Sequence, residues 1–241
     1  MENLMSNDIL KHNLEKWKTL PAGEWRRNVS DLYALEDDEL ATAYNSFRTL
    51  WDRERGWEHE RYGKMFSGRE VLEVGSGLGY DALTMSKKAA SWTCADILQV
   101  NIDFVARMAA LTGSENISTQ LLEDIDSHDF KKSFNGFYAH GVLHHIPFDI
   151  ASRQMANISK YLEPGAKAVF LMYPKARWEH AGKPAFENFG ISTDGEGTPW
   201  AEWYDEEKIL KLVGDDFTLD KSIPWGWNNI EFINFELTKK Q

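Results

Sequence analysis

The feature that most constrains the fold is the stretch from Val71 to Asp81, where a short apolar run carrying one acid leads into three alternating glycines. A helical pattern starts at Ala82, so the order is strand, glycine-rich turn and helix. Alternating glycines let the backbone bend tightly and approach a ligand with no Cβ in the way. The following helix offers unpaired N–H groups to a polar or negative group. The stretch therefore predicts a cofactor-binding turn, the alternative being a turn that only links two elements.

The spacing of the glycines distinguishes two kinds of cofactor. A dinucleotide site needs G-x-G-x-x-G, whereas Gly75, Gly77 and Gly79 form G-x-G-x-G, preceded by Glu73. This pattern resembles the first motif of the class I S-adenosylmethionine (SAM)-dependent methyltransferase superfamily, E/D-x-G-x-G-x-G. The resemblance implies SAM as cofactor and S-adenosylhomocysteine (SAH) as product. It also implies that the loop, including Ser76, contacts the methionine part of SAM and that Glu73 positions its amino group.

The first 68 residues carry helical patterns, with apolar residues at helical spacing and an acidic helix start at 37–39. They predict an N-terminal helical cap over 1–68, ahead of a SAM-binding domain over 69–241. In the resembled superfamily such a preceding helix often folds over the methionine end of SAM. Tyr62 and Trp57 are the candidates for that lid, and packing of a helix onto the sheet is the alternative.

Two further strand ends carry acids. Asp96 closes the strand predicted at 91–95, where one carboxylate can accept hydrogen bonds from both ribose hydroxyls, and Ile97 is next in line for the adenine face. Asp124 follows the strand predicted at 117–122. The resemblance implies that Asp124 accepts from the adenine amino group, with Ile125 as the backbone partner. A solvated acidic loop is the alternative.

The run Gly141-Val142-Leu143-His144-His145 resembles the fourth-strand segment of small-molecule methyltransferases, which lines the floor under the reacting methyl group. His144 and His140 are the candidate catalytic bases, since an imidazole titrates near neutral pH, and His140 is also a candidate contact to SAM. Packing or helix capping is the alternative for each. Zinc binding by these histidines is an alternative that we set aside, because no second cluster of ligands lies close in sequence, and we expect no metal.

Strands and helices alternate from Glu70 to Tyr173, which predicts an α/β fold with a Rossmann-like doubly wound sheet. Two more strands are predicted at 217–222 and 230–238. The resemblance implies a seven-stranded sheet in which strand seven is antiparallel. Residues 174–204 interrupt this rhythm and are predicted to form an inserted substrate cap.

The chain has 10 tryptophans, several of them in its C-terminal part. Aromatic walls suit a planar ring or a cationic amine. The candidate substrate-binding residues are Trp57, Trp200, Trp203, Trp225 and Trp227. We therefore expect methyl transfer to N or O of a small aromatic, heteroaromatic or amine metabolite. The alternatives are a lipid- or quinone-type methyltransferase, a non-catalytic SAM-binding or partner-binding protein, and a nicotinamide-dependent enzyme.

Charge and cysteine content limit the classes of partner and the cellular setting that we expect. With 27 basic and 38 acidic residues the formal charge is −11, which argues against nucleic acid as a partner. Cys94 is the only cysteine, so no intramolecular disulfide can form, and a reducing setting is expected. The start of the chain has no signal-peptide pattern, and no apolar run is long enough to cross a bilayer. We expect a cytoplasmic enzyme with a small-molecule substrate and leave its oligomeric state open.

Overall fold

The structure is a computed structural model that describes residues 2–22, 25–226, 229 and 231–241. These residues form two compact units. The middle unit spans Trp17–Leu122, and the terminal unit combines the helix Glu2–Lys16 with Glu123–Gln241.

The elements of the chain up to the end of the middle unit are α1 Glu2–Lys16, β1 Thr19–Ala22, β2 Trp25–Asn28, α2 Val29–Tyr33, α3 Asp37–Met65, β3 Glu70–Val74, α4 Tyr80–Met85, β4 Ser91–Asp96, α5 Gln99–Thr112 and β5 Ile117–Leu121. Those that follow are β6 Phe134–His140, α6 Phe148–Ser159, β7 Leu162–Pro174, α7 Lys175–His180, α8 Phe186–Asp194, β8 Trp203–Tyr204, α9 Glu206–Val213, β9 Phe217–Trp225 and β10 Phe232–Lys239. Short 3₁₀ turns cover Ser86–Lys88 and Leu143–His145.

In the middle unit, β4 lies between β3 and β5, and both pairings are parallel. Strand β4 is buried along almost its whole length, as expected of a central parallel strand covered on both faces. Its end, Asp96, therefore falls at the same edge as the end of β3 and the glycine turn. Parallel strands thus bring two sequence-distant loops to one edge, where ligands bind in open α/β sheets.

The prediction that the first 68 residues are only helical is wrong at 19–28. There β1 and β2 form a two-stranded antiparallel sheet with Thr19 opposite Asn28. The strands are four residues each, too short for a clear alternation of apolar and polar residues to appear in the sequence. The long helix α3 is present as predicted, with three acids in its first turn.

In the terminal unit, β6 and β7 are parallel, and β10 lies antiparallel between β7 and β9. The predicted fold class is therefore confirmed: a Rossmann-like doubly wound α/β sheet whose strand seven, here β10, is antiparallel. The interruption at 174–204 is an ordered segment in which α7 and α8 are followed by β8, which extends the end of β7 in parallel. The domain boundary at residue 68 and the role of this segment as a substrate cap stay predictions.

Candidate functional site

The glycine turn of the middle unit has a backbone that other residues rarely adopt. Gly75, Gly77 and Gly79 all have positive φ, at 70°, 52° and 69°. The N–H of Gly75 donates to the carbonyl of Ala95 at 2.7 Å, and the N–H of Gly79 donates to the carbonyl of Ser76 at 2.8 Å. The turn is thus tied both to β4 and to itself, which fixes its shape before any ligand arrives.

Gly79 also meets a space requirement. A Cβ on this residue would lie 2.9 Å from Cγ2 of Val105, closer than real Cβ contacts come. Its carbonyl accepts a hydrogen bond from the hydroxyl of Tyr44 at 3.3 Å, and its αL conformation starts α4. A cradle that only glycine permits, followed by a helix start, fits the polar methionine end of SAM.

Asp96 holds the glycine turn from the end of β4. Its Oδ2 accepts from the N–H of Gly77 at 2.9 Å, and its Oδ1 accepts from Leu98 N and from Asn101 Nδ2. The side chain is buried, and burial raises the pKa of Asp96, an effect that these hydrogen bonds oppose. A carboxylate offers about four acceptor positions. Three protein groups donate to the Asp96 carboxylate with good geometry and the N–H of Ile97 also faces it, so its contact with a ribose hydroxyl stays a prediction.

Glu73 is buried near the end of β3. Its Oε2 accepts from the indole Nε1 of Trp92 at 2.6 Å. Burial raises the pKa of Glu73 well above its usual range, and the negative charge of Asp81 raises it further. A positive ligand group beside Glu73 would relieve that cost. The chemistry therefore suits the ammonium group of SAM.

A buried ionic network beside the turn was missed by the sequence reasoning. Arg55 of α3 donates from Nη2 to Asp81 at 2.7 Å and from Nε to Glu58 at 2.9 Å. The ring nitrogens of His59 face Asp81 at 2.8 Å and Asp52 at 3.1 Å. Burial alone would lower the pKa of His59, but the hydrogen bond and charge of Asp81 raise it overall. The network fastens α3 to the first turn of α4.

The two predicted lid residues lie on α3. Tyr62 is completely buried, and Trp57 is half-buried with its ring centroid 6.2 Å from that of Tyr62. Full burial favours packing, the alternative left open for Tyr62, so its contact with SAM stays a prediction. Ile97 behaves differently, since 37% of it is exposed just beyond β4. An exposed apolar side chain at that edge suits an adenine face.

The remaining predicted cofactor contacts belong to the terminal unit. Asp124 is exposed, and its carboxylate accepts from Asp126 N and from the Ser127 hydroxyl, so it closes a turn. Ile125 is buried, and its carbonyl accepts from Asn157 Nδ2 at 3.0 Å. Asn157 thereby fixes the loop that carries both predicted residues.

The histidines after β6 lie in different environments. His140 ends the strand half-buried, its ring stacked on Tyr138. His144 is 1% exposed, and neither of its ring nitrogens has a hydrogen-bond partner of good geometry among the described residues. Burial, followed by the neighbouring His145, holds the pKa of His144 well below its usual range. His145 has its Nδ1 3.1 Å from the carbonyl of Trp200, so that nitrogen carries the proton.

Tyr173, near the end of β7, is the centre of a cluster that the sequence reasoning did not find. Its ring centroid lies 4.0 Å from that of His144, and its hydroxyl reaches both oxygens of Asp194 at 3.0 and 2.9 Å. The guanidinium carbon of Arg177 lies 4.1 Å from the same ring centroid and 5.3 Å from that of Phe232. The only available signal was a tyrosine near the end of an apolar strand, four residues before an arginine, which says nothing about contacts.

The predicted substrate-binding tryptophans of this unit are half-buried. Trp225 stacks on Phe232 with centroids 4.8 Å apart, and its Nε1 donates to Asn234 at 3.0 Å. The ammonium group of Lys208 lies over the ring of Trp203, 4.6 Å from the ring centroid. Trp200 follows α8 and packs on it through Phe186. Trp227 lies outside the described residues.

The described residues contain no group of three or more histidine, cysteine, aspartate or glutamate side chains arranged to hold a metal ion. Within the same part of the chain, every helix is too short or too polar to cross a bilayer.

Comparison with known proteins gives a family and a fold. A family model described as a methyltransferase domain matches residues 46–215. No curated protein matches the sequence significantly. The N-methyltransferase NodS from Bradyrhizobium japonicum WM9, in complex with SAH, is similar at a TM-score of 0.61 and 15% identity, over 88% of this chain and 97% of that chain.

Two more solved structures share the fold. Magnesium protoporphyrin IX methyltransferase (ChlM) from Synechocystis PCC 6803, with bound SAM, matches with a TM-score of 0.60 and 15% identity over 99% of this chain and 96% of that chain. A SAM-dependent methyltransferase from Clostridium acetobutylicum ATCC 824 matches with a TM-score of 0.60 and 12% identity over 82% of this chain and 99% of that chain. The family match covers more than half of the chain and confirms the resemblance carried by the glycine motif. The chain belongs to the methyltransferase domain family and is a class I SAM-dependent methyltransferase.

Proposed function

We propose that this methyltransferase transfers a methyl group from SAM to N or O of a small aromatic, heteroaromatic or amine metabolite. The observation that carries the proposal is the aromatic lining in the terminal unit, where Tyr173, Phe232 and Trp225 follow one another at contact distance. These rings lie where β7 and β9 end and β10 begins, at one edge of the sheet. Stacked rings suit a planar acceptor.

The residues that we propose to hold SAM fall into two groups. In the middle unit they are Tyr62, Glu73, Gly75, Ser76, Gly77, Gly79, Asp96 and Ile97. In the terminal unit they are Asp124, Ile125 and His140. Support comes from the glycine-only backbone, the buried carboxylates and the exposed Ile97. SAM supplies an electrophilic methyl group, and the protein's part is to hold the acceptor in line and exclude water, which can contribute about 7–11 kcal/mol.

A base is needed only where the acceptor arrives protonated. We propose His140 and His144 for this task, with different weights. The lowered pKa of His144 keeps its imidazole neutral at pH 7, but it also makes that ring a weak base, and the ring is buried. Half burial and a position at the end of β6 favour His140 for exchanging a proton with an acceptor.

Calorimetry and a transfer assay test the proposal. The full chain should release or absorb heat with both SAM and SAH, and it should move a tritiated methyl group from SAM to at least one compound in a panel of anilines, phenols, N-heteroaromatics and amines. Trp225→Ala should raise KM for that compound roughly tenfold while SAH affinity stays unchanged. Trp225→Phe, which keeps the stack on Phe232, should behave nearly as the parent. Binding of SAH with no transfer to any panel member would contradict the acceptor class.

A further inference from the structure

Arg177, in α7, has no acidic partner in the described part of the chain, in contrast to three other arginines. Arg55 pairs with Asp81 and Glu58, Arg107 pairs with Asp37, and Arg153 pairs with Asp126 and Asp149. Arg177 forms no ion pair within the part of the chain that the structure describes. The half-buried Arg48 also lacks an ion pair among the described residues, so the missing acid alone does not single out Arg177. What distinguishes Arg177 is its place over the rings of Tyr173 and Phe232.

The Arg177 side chain is nevertheless held in place. Its Nη1 donates to the carbonyl of Glu231 at 3.0 Å, and the guanidinium lies over the rings of Tyr173 and Phe232. Stacking and one backbone hydrogen bond fix the plane of the fork and leave Nε and Nη2 without an acceptor among the described residues. A fixed fork of this kind matches the two oxygens of a carboxylate or phosphate.

The one carboxylate of the same cluster is already engaged. Both oxygens of Asp194 accept from the Tyr173 hydroxyl, and Oδ2 also accepts from Thr193 Oγ1 at 2.7 Å. His144 packs on the same tyrosine ring, and its ring nitrogens have no hydrogen-bond partner of good geometry in the described chain. The open donors of the cluster are therefore the N–H groups of Arg177, and buried or half-buried donors are normally paired. An anion is the partner that a guanidinium binds most strongly.

We propose that the acceptor substrate is a planar aromatic compound carrying an oxyanion, which Arg177 binds while the ring packs against Phe232 and Trp225. The inference rests on the proposed function, since it names the substrate class of the same site. It narrows that class from aromatic or amine metabolites in general to ring compounds with a carboxylate or phosphate group. Aromatic amines without an acidic group would then bind weakly.

Calorimetry with matched probes tests this, with and without saturating SAH. 4-Aminobenzoate and 4-aminobenzamide have nearly the same shape and differ in charge, and 4-aminophenyl phosphate presents the alternative oxyanion. We expect the full chain to bind one of the two oxyanions at least tenfold more tightly than the amide, because hydrogen bonds between charged groups are the strong ones. The tighter of the two identifies the oxyanion. Arg177→Gln should remove the difference, and Arg177→Lys should keep part of it.

Lys211→Gln is the control, because it removes one positive charge from the exposed face of α9, where Lys211 pairs with Glu207. It should bind all three probes as the parent does. Equal affinity for amide and oxyanions, no binding of either oxyanion, or a preference that survives in Arg177→Gln would each overturn the inference. If the parent chain does not bind SAH, the proposed function is contradicted. The titration of the three probes without SAH would still decide the role of Arg177.

Discussion

Two sets of strand ends in this protein, called the first and the second edge below, differ in how their buried polar groups are hydrogen-bonded. At the ends of β3 and β4, the buried carboxylates of Glu73 and Asp96 accept hydrogen bonds from protein N–H groups. Near the end of β7, by contrast, Arg177 keeps N–H groups that no described residue accepts, and the ring nitrogens of His144 have no partner of good geometry. The carboxylates of the first edge have protein donors, although Oδ1 of Asn101 and the hydroxyl of Tyr80 in the same unit are buried without a partner among the described residues. At the second edge the N–H groups of Arg177 lack an acceptor, as expected of a region that a specific substrate completes.

The largest loss of stability should come from a substitution at the closest contact of the glycine turn, at the first edge. Gly79→Ala places a Cβ 2.9 Å from Val105 on a residue with φ +69°. Strain and overpacking together should lower the free energy of unfolding by about 2–4 kcal/mol. Gly68→Ala is the matched control, since Gly68 has φ +70° but nothing within 4 Å of its Cβ position. Urea unfolding measures both, and an equal loss in the two variants would show that strain, rather than close approach, makes Gly79 necessary.

The next effect concerns the methyl donor. Asp96→Ala removes a predicted ribose contact and the acceptor for the N–H of Gly77. Since hydrogen bonds to a charged group are worth about 1.5–3 kcal/mol each, SAH affinity should fall roughly 100-fold. Calorimetric titration with SAH measures the change. Unchanged affinity would mean that Asp96 only supports the turn and that the ribose is bound elsewhere.

Glu73→Gln should separate stability from binding at the same edge. Burial raises the pKa of Glu73 in the folded state. The contribution of this residue to the free energy of unfolding is therefore fully present below the usual glutamate pKa, and it is lost as the pH rises through the folded-state pKa. Glutamine does not titrate, so the variant should be about 1 kcal/mol more stable than the parent at pH 8 and gain nothing at pH 4. Its SAH affinity should nevertheless fall roughly tenfold. Unfolding curves between pH 4 and 8 measure the stability, and calorimetry measures the SAH affinity. The same pH dependence of the free energy of unfolding in parent and variant would contradict the prediction.

The smallest effect is expected where the second edge is incomplete. His144→Leu replaces a buried imidazole that lacks partners by an apolar side chain of similar volume, and it should leave stability unchanged or raise it by about 1 kcal/mol while lowering kcat/KM. His145→Leu is the control, because Nδ1 of His145 donates to the carbonyl of Trp200, and it should lose about 1–3 kcal/mol. Thermal unfolding of the two variants tests the contrast. Equal destabilisation would show that His144 is a satisfied core residue.

The parts predicted correctly from sequence depend on local patterns. The glycine turn was recognisable because its spacing and the run before it are contiguous, and the positive φ angles of all three glycines match that interpretation. Most strands followed from apolar runs and turn residues, the exceptions being β1, β2 and β8. The hairpin at 19–28 was missed because strands of four residues leave too little periodicity to detect.

The candidate site divides along the same line. Residues within a few positions of the glycine turn or of a strand end were named from sequence, among them Glu73, Asp96 and Ile97. Arg55 and Asp81 were not paired in advance, because 26 positions separate them in the chain. Arg177 was passed over entirely, since only its contacts with Tyr173 and Phe232 make it unusual.

The sequence by itself determined the fold class, the family and the methyl donor, because each depends on short-range backbone geometry that a contiguous motif encodes. Only the tertiary structure decided which polar groups are satisfied and which are left open. Hydrogen bonding and burial are properties of neighbours in space, and the neighbours of Tyr173 come from β6–α6, α7, α8 and β10. For that reason the acceptor preference can be read from the unpaired groups near the end of β7 and from no segment of the chain alone.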